Sequence, residues 1–355
     1  MIYPDSGALS ATFVGVREGI DARIGALNAA GGVHGRKIVY HLQDDHADPQ
    51  ANSSAAFDLI NRNHVFGIIE SSYAAAGSAD ILTKAGIPVT GIAATADWAT
   101  HRNMFSFLYT ATAATDTSGM FARARGGTKT AVLHTALTDG GASTADRFGQ
   151  SMQAAGIPVV ADIAFTGGVD APATVAARIA ASGADTLASL IEPSAFVQIL
   201  GALRDIGRTP KVVLSASGYN QQLLHTYGAG MAGMAIAIPY RPFESGGPAI
   251  EAYLDAMSRY APQTQARLDT AMLSYISADM FVHGLELAGA CPTREGFIKA
   301  MHAESNYDAG GLIPTLNIRD EFAKPTTCNS YVRVNPEGTA FTVAEPHLCG
   351  RVVAN

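Results

Sequence analysis

Charged residues are scarce in this chain: Asp, Glu, Lys and Arg make up only 15% of its 355 residues, and the formal net charge is −7. Nucleic-acid binding needs a concentrated basic surface, so this balance argues against a nucleic-acid partner. Long apolar runs are lacking too, because no stretch reaches the roughly 18 residues that a membrane-spanning helix needs. Hydrophobic residues nevertheless account for 48% of the chain, which is enough for two sizeable cores.

Cysteine is also rare. The chain has three cysteines and no C-x-x-C pair, which argues against a zinc ribbon or a thioredoxin-type redox motif. Cys328 and Cys349 both lie in the β-rich C-terminal tail, where a disulfide between them would close a loop of roughly 20 residues. Three buried free thiols, including Cys291, are the alternative.

Motifs that carry catalysis or bind a cofactor are missing or out of context. No G-x-S-x-G nucleophile elbow occurs. Residues 228–233 fit G-x-G-x-x-G, but they follow a helical segment and precede a strand, which is the reverse of a dinucleotide site. The acidic stretch 44–48 resembles a set of metal ligands, yet Asp48 before Pro49 is better explained as a helix cap. We therefore predict a protein that is not an enzyme and that uses no metal or cofactor.

Short apolar strands alternate with amphipathic helices through most of the chain, an order typical of parallel sheets covered by helices on both faces. Right-handed crossovers would make each half a doubly wound open α/β sheet. A hairpin of strands 331–334 and 339–343 is predicted near the end. The other predicted strands are 37–43, 66–69, 88–91, 104–110, 130–135, 159–164, 186–191, 211–215 and 234–239. The predicted helices are 13–29, 51–63, 77–84, 116–123, 144–155, 173–182, 194–206, 221–227, 248–259, 268–288 and 294–303.

Five segments carry a resemblance to a known family, and the most informative lies within 28–49. There Gly31 and Gly32 end a helix, His34-Gly35 forms a turn, and a strand leads to the Asp48 cap. These segments and the order of helices and strands resemble the solute-binding proteins of branched-chain amino acid ABC importers, the type I periplasmic binding proteins. The segments are 4–7, 28–35, 44–49, 85–88 and 306–311.

The resemblance implies two α/β lobes joined by three hinge crossings, near 109–112, 238–241 and 316–319. Lobe 1 would comprise residues 1–112 and 240–317, and lobe 2 residues 113–239 and 318–355. The ligand would bind in the cleft between the lobes, and hinge closure would present the protein to ABC permease subunits. We expect an exported monomer, periplasmic or at the cell surface, whose native chain begins upstream with a signal peptide and the rest of the first strand.

The resemblance also assigns ligand contacts in lobe 1. Glu70, Ser71, Ser72 and Tyr73 follow strand 66–69, where hydroxyls and the free N–H groups of a helix start suit a carboxylate. Ala93, Ala94 and Thr95 follow strand 88–91, with Ala93 offering a carbonyl and Thr95 its hydroxyl and N–H. The alternatives are that Ser71 or Ser72 merely caps a helix beginning near Ala74, that Thr95 lies in an ordinary turn, and that Glu70 faces solvent.

In lobe 2 the candidate contacts are Glu192, Ser217 and Tyr219. Amino acid binders of the family place an acidic residue near the turn after strand 211–215, but this chain has Ala216 and Ser217 there. Glu70 or Glu192 would have to pair with a ligand ammonium instead. The alternatives are that Glu192 caps helix 194–206 and that Tyr219 is a packing residue.

The resemblance implies an extracytoplasmic solute-binding protein of an ABC importer. Its ligand would be a small molecule with a carboxylate, either a branched-chain or other hydrophobic amino acid or an aromatic or aliphatic acid. The sequence does not rank these ligands. The alternative function is a cytoplasmic ligand-sensing regulator of the same fold, responding to an amide or an amino acid.

Overall fold

The computed structural model of the protein describes residues 1–7, 9–110, 112–136 and 139–354, and Ala111, in the first predicted hinge, lies outside them. The chain divides into two compact units. Unit 1 comprises Met1–Thr112 and Gly246–Pro325, and unit 2 comprises Ala113–Ser245 and Thr326–Asn355. Each unit is built on its own sheet, and the predicted fold class of two parallel-sheet α/β lobes is confirmed.

Aromatic packing accounts for two boundaries that differ from the predicted 239/240 and 317/318. Residues 240–245 stay with unit 2 because Phe243 stacks on Tyr219, with ring centroids 5.2 Å apart. Residues 318–325 stay with unit 1 because the Phe322 ring packs on Phe105 and Tyr109 at centroid distances of 5.7 and 6.1 Å.

Strands and helices alternate along the described chain. The strands are β1 (Ile2–Tyr3), β2 (Gln43–Asp44), β3 (Ile68–Glu70), β4 (Val89–Gly91), β5 (Met104–Phe105), β6 (Thr130–Thr135), β7 (Val159–Phe165), β8 (Thr186–Leu190), β9 (Val212–Ser215), β10 (Met234–Ile238), β11 (Cys328–Val334) and β12 (Phe341–Cys349). The α-helices are α1 (Val16–Ala29), α2 (Pro49–Asn61), α3 (Ala76–Lys84), α4 (Thr117–Ala124), α5 (Asp139–Ala154), α6 (Pro172–Ser182), α7 (Pro193–Asp205), α8 (Gln221–Tyr227), α9 (Pro248–Tyr260), α10 (Asp269–Leu287), α11 (Arg294–Ala303) and α12 (Ile318–Glu321).

Unit 1 has a five-stranded parallel sheet in the order β2-β1-β3-β4-β5. On one face, Ile68 and Val89 pack in a core with Leu59 of α2 and Leu82 of α3. Thr90 points to the other face, where its hydroxyl donates to a carbonyl of α10 at 2.8 Å. Both faces are therefore covered, as the nearly continuous apolar strands predict.

Unit 2 has a seven-stranded sheet in the order β12-β11-β10-β9-β8-β6-β7. Strands β6 to β10 are parallel, and the hairpin of β11 and β12 adds two antiparallel strands beside β10. Val132 and Leu214 contribute to a core with Phe121 of α4 and Met152 of α5. The predicted hairpin is confirmed, although both of its strands are longer than predicted.

The parallel strands of the two sheets share one topology. In unit 1 the chain runs from β1 outward to β2 and then returns to the other side of β1, so the strand order reverses between β1 and β3. In unit 2 the same reversal lies between β6 and β8. Ligands of open α/β sheets bind outside the carboxyl ends of the strands at such a switch point. The loops after β1, β3, β6 and β8 are thus the places to look for a site.

The predicted strand 37–43 is wrong except at its end. Gln43 and Asp44 pair with Ile2 and Tyr3 of β1, and residues 37–42 lie outside the strand. Asn28 holds this segment instead: its side chain accepts from the Ile38 N–H and donates to the Ile38 carbonyl, each at 2.8 Å.

Two other elements of unit 1 are shorter than predicted. Helix α1 begins at Val16 instead of Phe13, because Gly15 has a φ of 94° and interrupts the chain after a 3-10 turn at Ser10–Phe13. Strand β5 ends at Phe105 instead of Thr110, since the Ser106 hydroxyl bonds the backbone of Gly91, Ala93 and Leu108.

In unit 2, helix α5 begins at Asp139, five residues before the predicted start at 144.

A disulfide joins Cys328 and Cys349, which face each other in the β11–β12 register with Cα atoms 4.0 Å apart. Cys291 is an exposed free thiol. The alternative of three buried free thiols is therefore wrong. The bridge holds the open end of the hairpin, opposite the turn at residues 335–340.

We expect alkylation of the denatured protein to modify one cysteine without reductant and three with it, as read by mass spectrometry. The Cys328→Ser/Cys349→Ser double variant should lose about 3 kcal/mol of unfolding free energy in a denaturant titration, because the open chain gains loop entropy. Cys291→Ser is the control and should unfold like the wild type. Equal stability of the double variant would contradict the role given to the bridge.

Candidate functional site

The segment after β3 forms a tight, buried turn at the carboxyl edge of the unit 1 sheet. The Ser71 N–H donates to the Ile2 carbonyl at 3.0 Å, and the Ser72 hydroxyl oxygen accepts from the Ala74 N–H at 2.9 Å. Helix α3 begins only at Ala76, so Ser72 closes a turn and does not cap the helix. The buried Ser71 hydroxyl has no hydrogen-bond partner among the described residues.

The segment after β4 lies beside it. The Ile92 N–H donates to the Glu70 carbonyl at 3.2 Å, which ties the two strand ends together. Ala93 is buried, and its N–H donates to the Ser106 hydroxyl oxygen at 3.2 Å, while Ala94 is half-buried. Thr95 precedes a 3-10 turn, but within the described part of the chain its buried hydroxyl oxygen is unpartnered. The structure thus brings two available hydroxyls, those of Ser71 and Thr95, to neighbouring strand ends.

Tyr73 adds an aromatic surface next to these hydroxyls. Its side chain is 52% exposed and meets the Phe13 ring edge-on, with centroids 5.3 Å apart. Partial burial raises the pKa of its phenol, so the group is a neutral hydrogen-bond donor at physiological pH. This pair places an aromatic wall beside a polar turn.

Glu70 is fully buried, and the interpretation that it faces solvent is wrong. Its Oε1 accepts a hydrogen bond from the Asn52 side chain at 2.8 Å. Burial raises the pKa of this carboxyl to about 8. Glu70 is therefore tied into the interior of unit 1, which argues against the role of partner for a ligand ammonium.

Glu192 is the N-cap residue of α7, the alternative left open by the sequence. Its exposed carboxylate accepts from the Ser194 and Ala195 N–H groups at 2.9 and 3.2 Å. These bonds satisfy two of the free donors at the helix start.

Ser217 and Tyr219 differ in their surroundings. Ser217 is exposed in the turn after β9. Tyr219 is only 3% exposed; its ring stacks on Phe243 and meets Phe341 edge-on, and its hydroxyl bonds the Glu244 carboxylate and the Phe243 N–H. Tyr219 therefore builds the interior of unit 2, as the packing alternative proposed.

Sequence reasoning missed Ser189 and Ser215. They face each other in neighbouring strands β8 and β9, both buried, and their hydroxyls lack a partner within the described ranges. Serine within an otherwise apolar strand was the available signal. Sequence reasoning also missed Ser106, whose hydroxyl bonds the backbone at the end of β4 and which offered the same signal.

Three further polar groups occur among the described residues, and in one of them Asp45 accepts a hydrogen bond from Asn52, which also bonds Glu70. A cavity of about 200 Å³ in unit 1 is lined mainly by charged and polar groups of α1, α10 and residues 306–308. The acidic stretch 44–48 is engaged locally: Asp44 accepts from the Ser6 hydroxyl at 2.6 Å, and Asp48 caps α2 through the Ala51 N–H at 2.8 Å. Among the described residues, the group with metal-ligand spacing is Cys328, His347 and Cys349, two of which form the disulfide.

Comparison with known proteins identifies the family. Residues 1–339 match the family model described as periplasmic binding protein. The chain belongs to the periplasmic binding protein family. The resemblance drawn from the sequence is confirmed, and the family is extracytoplasmic. No helix of the described chain is both long and apolar enough to cross a membrane.

Solved structures of solute-binding proteins share the fold. One is the substrate-binding protein LivJ of a branched-chain amino acid transporter from Streptococcus pneumoniae, in complex with isoleucine: 17% identity, TM-score 0.78, covering 97% of this chain and 98% of that one. Another is an ABC transporter solute-binding protein from R. palustris in complex with 4-hydroxybenzoate: 17% identity, TM-score 0.79, covering 99% and 96%. A third is a fatty acid ABC transporter substrate-binding protein from Thermomonospora curvata: 20% identity, TM-score 0.73, covering 98% and 90%. No curated protein sequence matches significantly.

The capping role of Glu192 predicts a defined effect on stability. Glu192→Ala should lower the free energy of unfolding by about 1 kcal/mol, because two N–H groups at the start of α7 lose their acceptor. Glu192→Ser, which keeps a capping oxygen, should recover most of this loss in the same denaturant titration. A Glu192→Ala protein as stable as the wild type would show that the cap contributes nothing.

Proposed function

We propose that this protein is the extracytoplasmic solute-binding component of an ABC importer and that it binds a small molecule with a carboxylate. The observation that carries the proposal is the pair of buried hydroxyls, Ser71 and Thr95, at the ends of neighbouring strands beside the switch point of unit 1. A buried hydroxyl without an acceptor is costly, and a ligand carboxylate supplies that acceptor.

The ligand carboxylate would also meet the backbone. Ser72 and Ala93–Thr95 line the same edge, and the N–H groups at the start of the following helical turns favour negative charge. Small side chains at Ala93 and Ala94 let a ligand approach the main chain. The Tyr73 ring, half exposed next to this turn, suits an apolar or aromatic body attached to the acid group.

Two observations favour an acid without an ammonium group over an amino acid. Glu70 is engaged with Asn52 in the interior, and Glu192 is engaged as a helix cap. Both carboxylates nominated to pair with an ammonium thus already have partners. Aromatic or aliphatic acids are therefore the first class of ligand in this proposal, and hydrophobic amino acids are the second. The protein would act as an exported monomer that delivers its ligand to permease subunits.

A thermal-shift screen tests the ligand class. At about 100 times its Kd, a true ligand should add roughly 2.7 kcal/mol to the free energy of unfolding and raise the melting temperature. We expect aromatic or aliphatic monocarboxylates to do so, with their amides, which carry no charge, as matched controls. Stabilisation only by sugars or nucleotides would contradict the proposal, and an equal shift by acid and amide would remove the carboxylate from it.

Substitution of Thr95 tests the placement of the carboxylate. Thr95→Ala should weaken binding by about 1–3 kcal/mol in calorimetry, because the bound charge loses a hydroxyl donor. Thr95→Ser keeps the hydroxyl and should bind nearly like the wild type. If Thr95→Ala bound the ligand as tightly as the wild type, the site would have to lie elsewhere.

A further inference from the structure

A fully buried polar network lies directly behind the proposed anion-binding turn. Asp45, Asn52 and Glu70 each have no exposed surface. The Asn52 Nδ2 group donates to Asp45 Oδ2 and to Glu70 Oε1, both at 2.8 Å. An amide nitrogen carries two hydrogens, so both are used, one for each carboxyl group.

Asn52 and Glu70 each have one oxygen atom that these hydrogen bonds do not use. Asn52 Oδ1 and Glu70 Oε2 are buried and have no hydrogen-bond partner among the described residues. If Glu70 is ionised, both atoms are acceptors and cannot bond one another. If Glu70 carries a proton on Oε2, that O–H becomes a donor that Asn52 Oδ1 can accept, while Asn52 Nδ2 donates to Oε1. One proton thereby satisfies two buried orphan atoms and removes an unpaired charge.

We propose that Glu70 is held as a neutral carboxylic acid in a two-bond pair with Asn52, and that this proton is what allows the adjoining turn at Ser71–Tyr73 to accept an anion. The first half stands on the network alone. The second half rests on the proposed function, because it concerns binding of the ligand carboxylate. Glu70 is a positioning residue in this scheme: it controls the charge behind the turn.

The other groups that face Glu70 are consistent with a neutral acid. Burial is the main cause that raises its pKa to about 8, and the Asp45 carboxylate, at the end of β2, adds to the rise. The hydrogen bond from Asn52 opposes this rise, and so does the nearby Ser78 hydroxyl on α3, which donates to the Ala75 carbonyl at 3.3 Å. Asp45 is the acceptor for Asn52 and for the Ala47 N–H at 3.1 Å.

Two pH windows follow from the direction of this shift. The unfolded chain releases the Glu70 proton near the ordinary pKa of 4.5, whereas the folded protein keeps it up to about pH 8. The contribution of Glu70 to the free energy of unfolding is therefore greatest below about pH 4.5. It falls between pH 4.5 and 8 and is constant above about pH 8. Affinity for a carboxylate changes only where the folded protein ionises, so it falls above about pH 8.

Glu70→Gln is the test variant, because a glutamine amide reproduces both bonds of the neutral acid and cannot ionise. Glu251→Gln, an exposed acid on α9, is the matched control. The binding probe is benzoate, whose charge is constant between pH 6.5 and 9.5. Wild type and Glu251→Gln should lose about tenfold or more in benzoate affinity across that range, the effect of one added charge close to the ligand. Glu70→Gln should vary by less than about twofold.

Melting temperature is measured from pH 5 to 9 on the same three proteins without ligand. Wild type and Glu251→Gln should lose stability up to about pH 8, and Glu70→Gln should lose distinctly less. Infrared difference spectroscopy of the wild type should show one protonated carboxylic acid at pH 7 that disappears by pH 9.5. This measurement needs no variant to fold.

The outcomes separate the two halves of the proposal. Parallel melting profiles for wild type and Glu70→Gln, or no protonated acid at pH 7, would overturn the neutral Glu70. A protonated Glu70 with benzoate affinity that does not change with pH would overturn its control of the turn. Benzoate that binds at no pH, together with no response to other carboxylates, would count against the proposed function and leave the Glu70–Asn52 pair to the melting and infrared measurements.

Discussion

Parallel strands all end at the same edge of a sheet, and the rest of this molecule depends on that constraint. In unit 1 the strand order reverses between β1 and β3, and in unit 2 it reverses between β6 and β8. The loops on either side of such a reversal lead away from each other and leave a crevice between them. In unit 1 those loops carry the polar turn at Ser71–Tyr73 and, one strand further, the turn at Ala93–Thr95. Position at this edge, more than any single residue type, makes these loops candidates for a site.

Burial then decides which polar groups at that edge are available. Ser71 and Thr95 have hydroxyls that find no protein acceptor among the described residues, whereas Glu70 and Glu192 are engaged with Asn52 and with the first N–H groups of α7. Hydroxyls carry no charge, so leaving one without an acceptor in a buried turn costs less than burying an unpaired carboxylate there. A carboxylate in the same place would need a partner or a proton, and Glu70 has the geometry for both.

The sequence predicted the elements whose cause is local. The helix cap at Asp48, the helix end at Gly31–Gly32 and the apolar strands of both sheets follow from residue type and spacing, and the structure has them. Prediction from the sequence failed where a side chain distant in sequence forms hydrogen bonds with backbone groups that a strand would otherwise use. Ser106 ends β5 early through bonds to β4, and Asn28 replaces a strand partner for Ile38. Ser106 lies 15 residues from Gly91 and Asn28 lies 10 residues from Ile38, so no local pattern could reveal these two contacts.

By itself the sequence determined the fold class, the family and the loops that are candidates for a site. The spacing of hydrophobic residues, the positions of glycines and the capping residues are signals that depend only on residues close together in the sequence. Tertiary structure decided which of the nominated side chains are free. Glu70 was placed at a strand end from the sequence, but its burial against Asn52 depends on α2 packing over β3. Availability of a polar group is set by what surrounds it in three dimensions, and that information is spread over the whole chain.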